Sequence, residues 1–299
     1  MKPDPRIARS WLFVPGDSER KLARSWDSDA DAVIVDLEDA VAPENKAAAR
    51  GIVREFLTAA AGRRDGRLLY VRMNPVDSGL TADDLRETFP GRPDGYVIPK
   101  VERPEDVRTV ARLLDELEAA AGVPAGDTKL IPIVTETPLA ALRVADLCRA
   151  DERTVAVIWG TEDLGAAIGA RRVKRPDGTM LDVFRTVRSM VLLAGAAAGI
   201  GIIDTPVVEI PDLERVTTEA REASWMGFTG KLAIHPSQVP LINDAFLPDA
   251  QEVADAEQVM ALAREKGLAA FRMGNKMIDV PHIKAAQRVL ATAQRHRSA

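Results

Sequence analysis

Eight short β-rich runs alternate with segments of helical spacing along this 299-residue chain. Strands alternating with helices imply a parallel sheet. Eight such units in this length predict a (β/α)8 TIM barrel with a C-terminal helical extension. A doubly wound sheet is the competing α/β arrangement. It is disfavoured because no run is followed by a G-x-G-x-x-G turn, and "GAAIG" lacks that spacing.

In chain order the runs are "SWLFVPG", "DAVIVDLED", "LLYVRMN", "GYVIPKV", "LIPIVTET", "VAVIWGTED", "GIIDTP" and "GKLAIHP". Each is short, apolar and rich in branched side chains, as a buried strand should be. The intervening "PEDVRTVARLLDELEAAAG" and "DVFRTVRSMVLLAGAAAG" combine good helix formers with helical spacing. The predicted barrel occupies residues 1–240 and the extension residues 241–299. Within the extension Val253, Ala256, Val259, Met260 and Ala263 fall at helical spacing. This surplus chain could cap the barrel or dock on a neighbouring subunit.

Composition narrows the function classes. Hydrophobic residues make up 46% and the net charge is -5, so the chain can fill a core and shows no basic nucleic-acid footprint. Aromatics at 4% argue against base-stacking platforms. Cys148 is the single cysteine. It permits no internal disulfide, so a reducing, cytoplasmic setting is expected; "ADLCRA" reads as a buried packing cysteine on a helix, with a nucleophile as the alternative. "MKPDPRIARSW" lacks a signal-like apolar core. "MVLLAGAAAGIGII" is too short and too rich in Ala and Gly to span a bilayer.

Unusual polar residues gather at the predicted strand ends: Asp36, Glu38 and Asp39; Arg72 and Asn74; Lys100; Thr135 and Glu136; Thr161, Glu162 and Asp163; Asp204; His235. In a barrel these ends share one face, where the chemistry sits. Glu136 and Asp163 close successive strands and should converge. Two carboxylates that converge repel unless a cation sits between them, and Mg2+ fits because it needs only one or two protein carboxylates. The competing reading makes Asp163 the cap of the following helix. Arg72 suits a substrate carboxylate or carbonyl, or an ion pair with Asp36 or Glu38. Amides opening the "EDLGAAIG" helix would add donors for an anion. The three histidines, His235, His282 and His296, form no zinc pattern. His235 reads as satisfied at a strand end, with a catalytic role as the alternative. Arg20, Lys21 and Arg24 read as a solvated helix face or as a phosphate-binding edge.

"RSWLFVPG", "VIVDLEDAVAPENKAAAR", "YVRMN", "VIPKVE", "ETPLA", "GTEDL", "GKLAIHPSQV" and "GNKMIDVPHI" together resemble the citrate lyase beta-subunit family of the HpcH/HpaI aldolase superfamily. The match runs in order from about residue 9 to about residue 290. The resemblance implies Mg2+, or Mn2+ in its place, and cleavage or formation of a carbon–carbon bond beta to a CoA thioester. It implies Glu136 and Asp163 as metal ligands and Arg72 on the keto-acid oxygens. Glu162 joins them as a substrate contact, with Asp36 and Glu38 behind. Asp279 matches an acid/base that reaches a neighbouring subunit's site, which implies a trimer or hexamer. Phe13 and Pro15 match positions lining the CoA entrance, with Arg9 and Lys21 as weaker matches. Asp17 and Ser18 depart from the basic pattern of malyl-CoA lyases at that point. The implied activity is a malyl-, citramalyl- or citryl-CoA lyase. A citrate lyase subunit working on an acyl-carrier-protein thioester and a CoA-free pyruvate aldolase are the alternatives. The last usually carries an early catalytic histidine, and none precedes His235 here.

Overall fold

The computed structural model describes Asp4, residues 7–266 and residues 270–297. It divides into two units, the first ending at Asn243 and the second beginning at Asp244, a few residues beyond the boundary read from the sequence. Among the described residues no helix is long and apolar enough to cross a membrane.

The first unit holds eight strands where the eight runs were read: β1 Ser10–Pro15, β2 Ala32–Asp36, β3 Leu68–Arg72, β4 Gly95–Ile98, β5 Lys129–Pro132, β6 Ala156–Ile158, β7 Gly201–Asp204 and β8 Gly230–Ala233. All pair in parallel, in the order β5-β4-β3-β2-β1-β8-β7-β6. Bridges at Leu130–Thr154 and Ile133–Ile158 join the two ends and close the barrel. The surrounding helices are α1 Glu19–Ser25, α2 Lys46–Ala59, α3 Thr81–Thr88, α4 Pro104–Ala120, α5 Pro138–Leu142, α6 Val144–Leu147, α7 Glu162–Ala167, α8 Asp182–Ala198 and α9 Leu213–Met226, and α10 Val239–Ala245 begins in this unit and ends just past its last residue.

Alternation along the strands sorts the apolar side chains. Trp11, Ile34, Tyr70, Val97, Ile131, Ile158 and Leu232 meet inside the barrel. Their neighbours Val33, Val71, Tyr96 and Val157 are equally buried on the other face, under the helices. Trp11 and Tyr70 meet edge to face, with centroids 5.4 Å apart. Gly95 makes room for that pair: a Cβ there would stand 2.5 Å from the Tyr70 ring and 2.2 Å from the Lys129 carbonyl oxygen. The helices start on local signals. Pro104 opens α4, and Asp106 accepts from the amides of Glu102 and Arg103 at 2.9 and 3.0 Å. Asp212 accepts from the Arg215 amide to cap α9, which Gly227 ends at φ 104.

Charges at the N-terminal ends of the strands are locally matched. Arg9 forks onto Asp31 at 2.8 and 2.9 Å, just before β1 and β2. Arg64 reaches Asp94 at 2.8 Å, before β4. Arg153, before β6, holds both oxygens of Glu118 on α4 at 2.9 and 2.6 Å. The amides of Gly126 and Thr128 complete the shell of Glu118 at 2.8 Å. Burial alone would raise the Glu118 carboxyl, but Arg153 and the Thr128 amide hold it at about 2. This face secures the barrel.

The second unit packs α11 Ala250–Lys266 and α12 Val280–Arg297 around a two-stranded antiparallel hairpin, β9 Phe271–Met273 and β10 Lys276–Ile278. Val259, Phe271, Ile278 and Ala286 form its core. The helix read around Val253 and Val259 is present as α11. The hairpin was not read from the sequence, because three-residue strands are too short to show a period.

Three outcomes check this fold. Arg153→Met leaves Glu118 buried without its partner and should cost about 3–5 kcal/mol in denaturant unfolding. The stability that Glu118 lends is full above its unfolded value near 4.5 and is lost as pH falls toward about 2, so Glu118→Gln should flatten that acid limb. Cys148 is buried, and burial pushes its thiol up to about 12. A thiol reagent should therefore label it only on unfolding.

Candidate active site

At the C-terminal ends of the strands lies a cavity of about 430 Å³. Its floor is apolar, with Ile133, Ile158 and Leu232. Its wall carries Asp36, Arg72, Glu136, Glu162 and Asp163. Strand polarity explains the contrast: inward apolar residues give way to polar ones as each chain leaves the barrel.

Arg72, the last residue of β3, lies across the end of β2. Its Nε and Nη2 donate to the two oxygens of Asp36 at 2.7 and 2.6 Å. Its Nη1 stands 2.7 Å from Glu38 Oε2. The guanidinium also lies 4.8 Å from the Phe13 ring centre. Burial works against its charge, but Asp36 and Glu38 outweigh burial and hold it firmly cationic. Asp36 is fixed in turn by accepting from the amides of Glu38 and Ala40 at 2.8 and 3.1 Å. The ion pair and the pocket position expected of Arg72 are therefore both realised.

Glu136 lies beyond β5, in the connection to α5, rather than on the strand itself. The apolar run continues past the ladder through Ile133 and Val134, and Val134 donates to the Ile158 carbonyl at 2.9 Å. Thr135 and Gly160 lock this connection to the one after β6. The Gly160 amide donates to Thr135 Oγ1 at 3.0 Å, and Thr135 Oγ1 donates to the Gly160 carbonyl at 3.2 Å. Glu136 and Asp163 thus belong to neighbouring connections tied together. Asp163 sits in the first turn of α7, where no side chain caps the helix, so the capping role does not apply to it.

Glu136 is buried, only 4% exposed. Burial pushes it up to about 8, and nearby Glu38 and Asp163 add to the rise. The Lys100 amide, which donates to Glu136 Oε2, and the charge of Arg72 offset only part of this. Glu38 is likewise raised, by burial first. A buried carboxylate among other carboxylates suits an incoming cation. Among the described residues no group of three or more metal-ligating side chains occurs. Two carboxylates beside open space match Mg2+, which fills its shell with water and substrate oxygens. They do not match zinc, which takes three or four protein ligands.

Lys100 was noted at a strand end but given no role. Its Nζ donates to Glu38 Oε1 at 2.6 Å and to Asp39 Oδ1 at 3.3 Å, and stands 3.9 Å from Asp163 Oδ1. Lys46, also unread, donates to the carbonyls of Leu37 and Glu38 at 2.9 and 3.0 Å and to Asn74 Oδ1 at 2.5 Å. It pins the loop that carries Glu38. Only a position after a strand hints at Lys100, and nothing local marks Lys46.

The structure brings Phe13, Pro15, Asp36, Arg72, Glu136, Glu162 and Asp163 to one pocket. Glu38 lies directly behind them on Arg72. Arg9 does not join them. It precedes β1, so it sits at the opposite end of the strands, locked to Asp31, and the expected CoA contact is corrected. Lys21 is exposed on α1 and does not line the cavity. His235 Nδ1 is satisfied by Ser237, as expected. Asp279 belongs to the second unit, half exposed, with Oδ1 2.5 Å from His282 Nδ1. The His296 side chain lies outside the described residues.

The family model described as HpcH/HpaI aldolase/citrate lyase matches residues 9–236. The chain belongs to this family. A citrate lyase subunit beta-like protein of Mycobacterium tuberculosis is 34% identical over 284 residues, covering 95% of this chain and 94% of that protein. The mitochondrial citramalyl-CoA lyase of Mus musculus is 31% identical, covering 95% and 86%. Among solved structures, CitE of Mycobacterium tuberculosis in complex with magnesium, acetoacetate and coenzyme A superposes with a TM-score of 0.81 at 34% identity, over 97% of this chain and 99% of that one.

Arg72→Met should leave Asp36 and Glu38 buried with a partner lost, lowering stability by about 3–5 kcal/mol in denaturant unfolding. Arg72→Lys keeps the charge but not the fork, and should recover only part of the loss.

Proposed function

We propose that this chain is a Mg2+-dependent CoA-ester lyase. It cleaves, or in reverse forms, the carbon–carbon bond of a 3-hydroxy-3-carboxyacyl-CoA, such as malyl-, citramalyl- or citryl-CoA, giving acetyl-CoA and a 2-keto acid. The observation that carries this reading is the raised, buried Glu136 placed beside Asp163 and Arg72 over an apolar floor. Family membership and the similarity to a citramalyl-CoA lyase support the reaction class.

Glu136 and Asp163 would hold Mg2+. Bound there, the ion supplies Lewis acidity toward the hydroxyl oxygen that becomes the keto-acid carbonyl. Arg72 keeps its guanidinium fixed by Asp36 and aims donors at the same oxygens, where negative charge develops. Because Arg72 is already held, it needs little reorganisation during the reaction. The hydroxyl gives up its proton to solvent as its carbonyl forms, and the electron pair of the breaking bond passes to the thioester enolate. Asp279, from the second unit of a neighbouring copy in a trimer or hexamer, protonates that carbon and completes acetyl-CoA. The apolar floor keeps water from the enolate. Phe13 and Pro15 stand where the thioester enters.

A second reading has an acyl-carrier-protein thioester as the substrate, within a larger complex. The likeness to a citrate lyase subunit beta-like protein favours it.

The deciding experiment offers malyl-, citramalyl- and citryl-CoA to the purified chain, each with Mg2+ and with EDTA. Acetyl-CoA release from one of them, abolished by EDTA, is the expected result. No release from any would move the assignment to the carrier thioester. Asp279→Ala should retain Mg2+ and glyoxylate binding while turnover falls by about a hundredfold or more. Unchanged turnover would remove Asp279 from the mechanism.

A further inference from the structure

Among the described residues, three non-glycine residues have positive φ: Asp65, Arg92 and Lys100. Asp65 and Arg92 lie in connections leading into β3 and β4, on the N-terminal side of the barrel. Lys100, at φ 52, lies on the catalytic side, just after β4. L side chains rarely adopt this conformation, and glycine is the ordinary choice there. An outlier of this kind at a pocket points to a constraint that the side chain and the backbone meet together.

Both parts of Lys100 are engaged. The left-handed backbone turns the amide toward Glu136, where it donates to Oε2. The ammonium donates to Glu38 Oε1 at 2.6 Å, while the other oxygen of Glu38 lies 2.7 Å from Arg72 Nη1. Glu38 therefore stands between two cations, and Lys100 fixes the carboxylate against which Arg72 is aligned. The same ammonium is 3.9 Å from Asp163 Oδ1. It lends positive charge to the acidic rim, with the same sign as a divalent ion.

We propose that Lys100 is a positioning residue with two separable parts. Its amide fixes Glu136, and its ammonium holds the Glu38–Arg72 pair while opposing the charge of the metal. This rests on the reading in which Glu136 and Asp163 hold the divalent ion. It has a consequence that general structural support would not have. Removing the ammonium should weaken catalysis and strengthen metal binding together.

The test is a Mn2+ titration of the full chain by electron paramagnetic resonance, beside steady-state kinetics on the thioester that the wild type cleaves. Lys100→Met should bind Mn2+ about tenfold more tightly, the size of the repulsion between a unit charge and a doubly charged ion about 6 Å apart in a water-like medium. Its kcat/KM should fall by about tenfold to a hundredfold as Arg72 loses its alignment. Lys100→Gly permits the same backbone turn without the ammonium. It should match Lys100→Met in Mn2+ affinity and exceed it in melting temperature. Lys100→Arg should restore wild-type Mn2+ affinity and part of the activity. Weaker Mn2+ binding by both Lys100→Met and Lys100→Gly, in step with lost activity, would overturn the proposal, as would wild-type kinetics in both. A wild type that binds no Mn2+ would overturn the metal reading itself, and this role with it.

Discussion

Burial of the Glu136 carboxylate among like charges is the constraint around which the catalytic rim is arranged. Isolated, that charge would be costly to bury. Here it receives one amide from Lys100 and partial compensation from Arg72, while Glu38 and Asp163 press its affinity for a proton upward. The surrounding hardware follows from this. Thr135 and Gly160 tie the Glu136 connection to the one that carries Asp163. Asp36 and Glu38 absorb the charge of Arg72 and set its direction. Lys46 anchors the Glu38 loop from behind.

The two ends of the barrel resolve charge differently. At the N-terminal end each buried acid has its own arginine, as in Arg153 with Glu118, whose carboxyl sits at about 2. At the C-terminal end acids outnumber the cations that face them, and Glu136 stands at about 8. The first arrangement stabilises the fold. The second leaves binding capacity for a cation, and perturbed groups of this kind gather at functional sites. The barrel separates them by the length of its strands.

Much of this was legible in the sequence because strand polarity is simple. A polar residue after a branched apolar run in a (β/α)8 pattern must emerge on the functional face, and Arg72, Glu136 and Asp163 do so. Arg9 shows the limit of motif matching. It precedes its strand, so its place at the other end follows from the same polarity rule, which the motif resemblance overrode. The roles of Lys100 and Lys46 were not legible, because they depend on loops after β2, β3, β4 and β6 meeting in space, and on one left-handed residue. The β9–β10 hairpin escaped notice because its strands are too short for a pattern.

The central claim is that the carboxylates of Glu136 and Asp163 together bind the divalent ion. A Mn2+ binding titration of the wild type, Glu136→Gln and Asp163→Asn tests it most directly, since each substitution keeps the shape and removes one charge. The account predicts one saturable site per chain in the wild type, weakened by about a hundredfold or more in either variant. Wild-type affinity in both variants would contradict it.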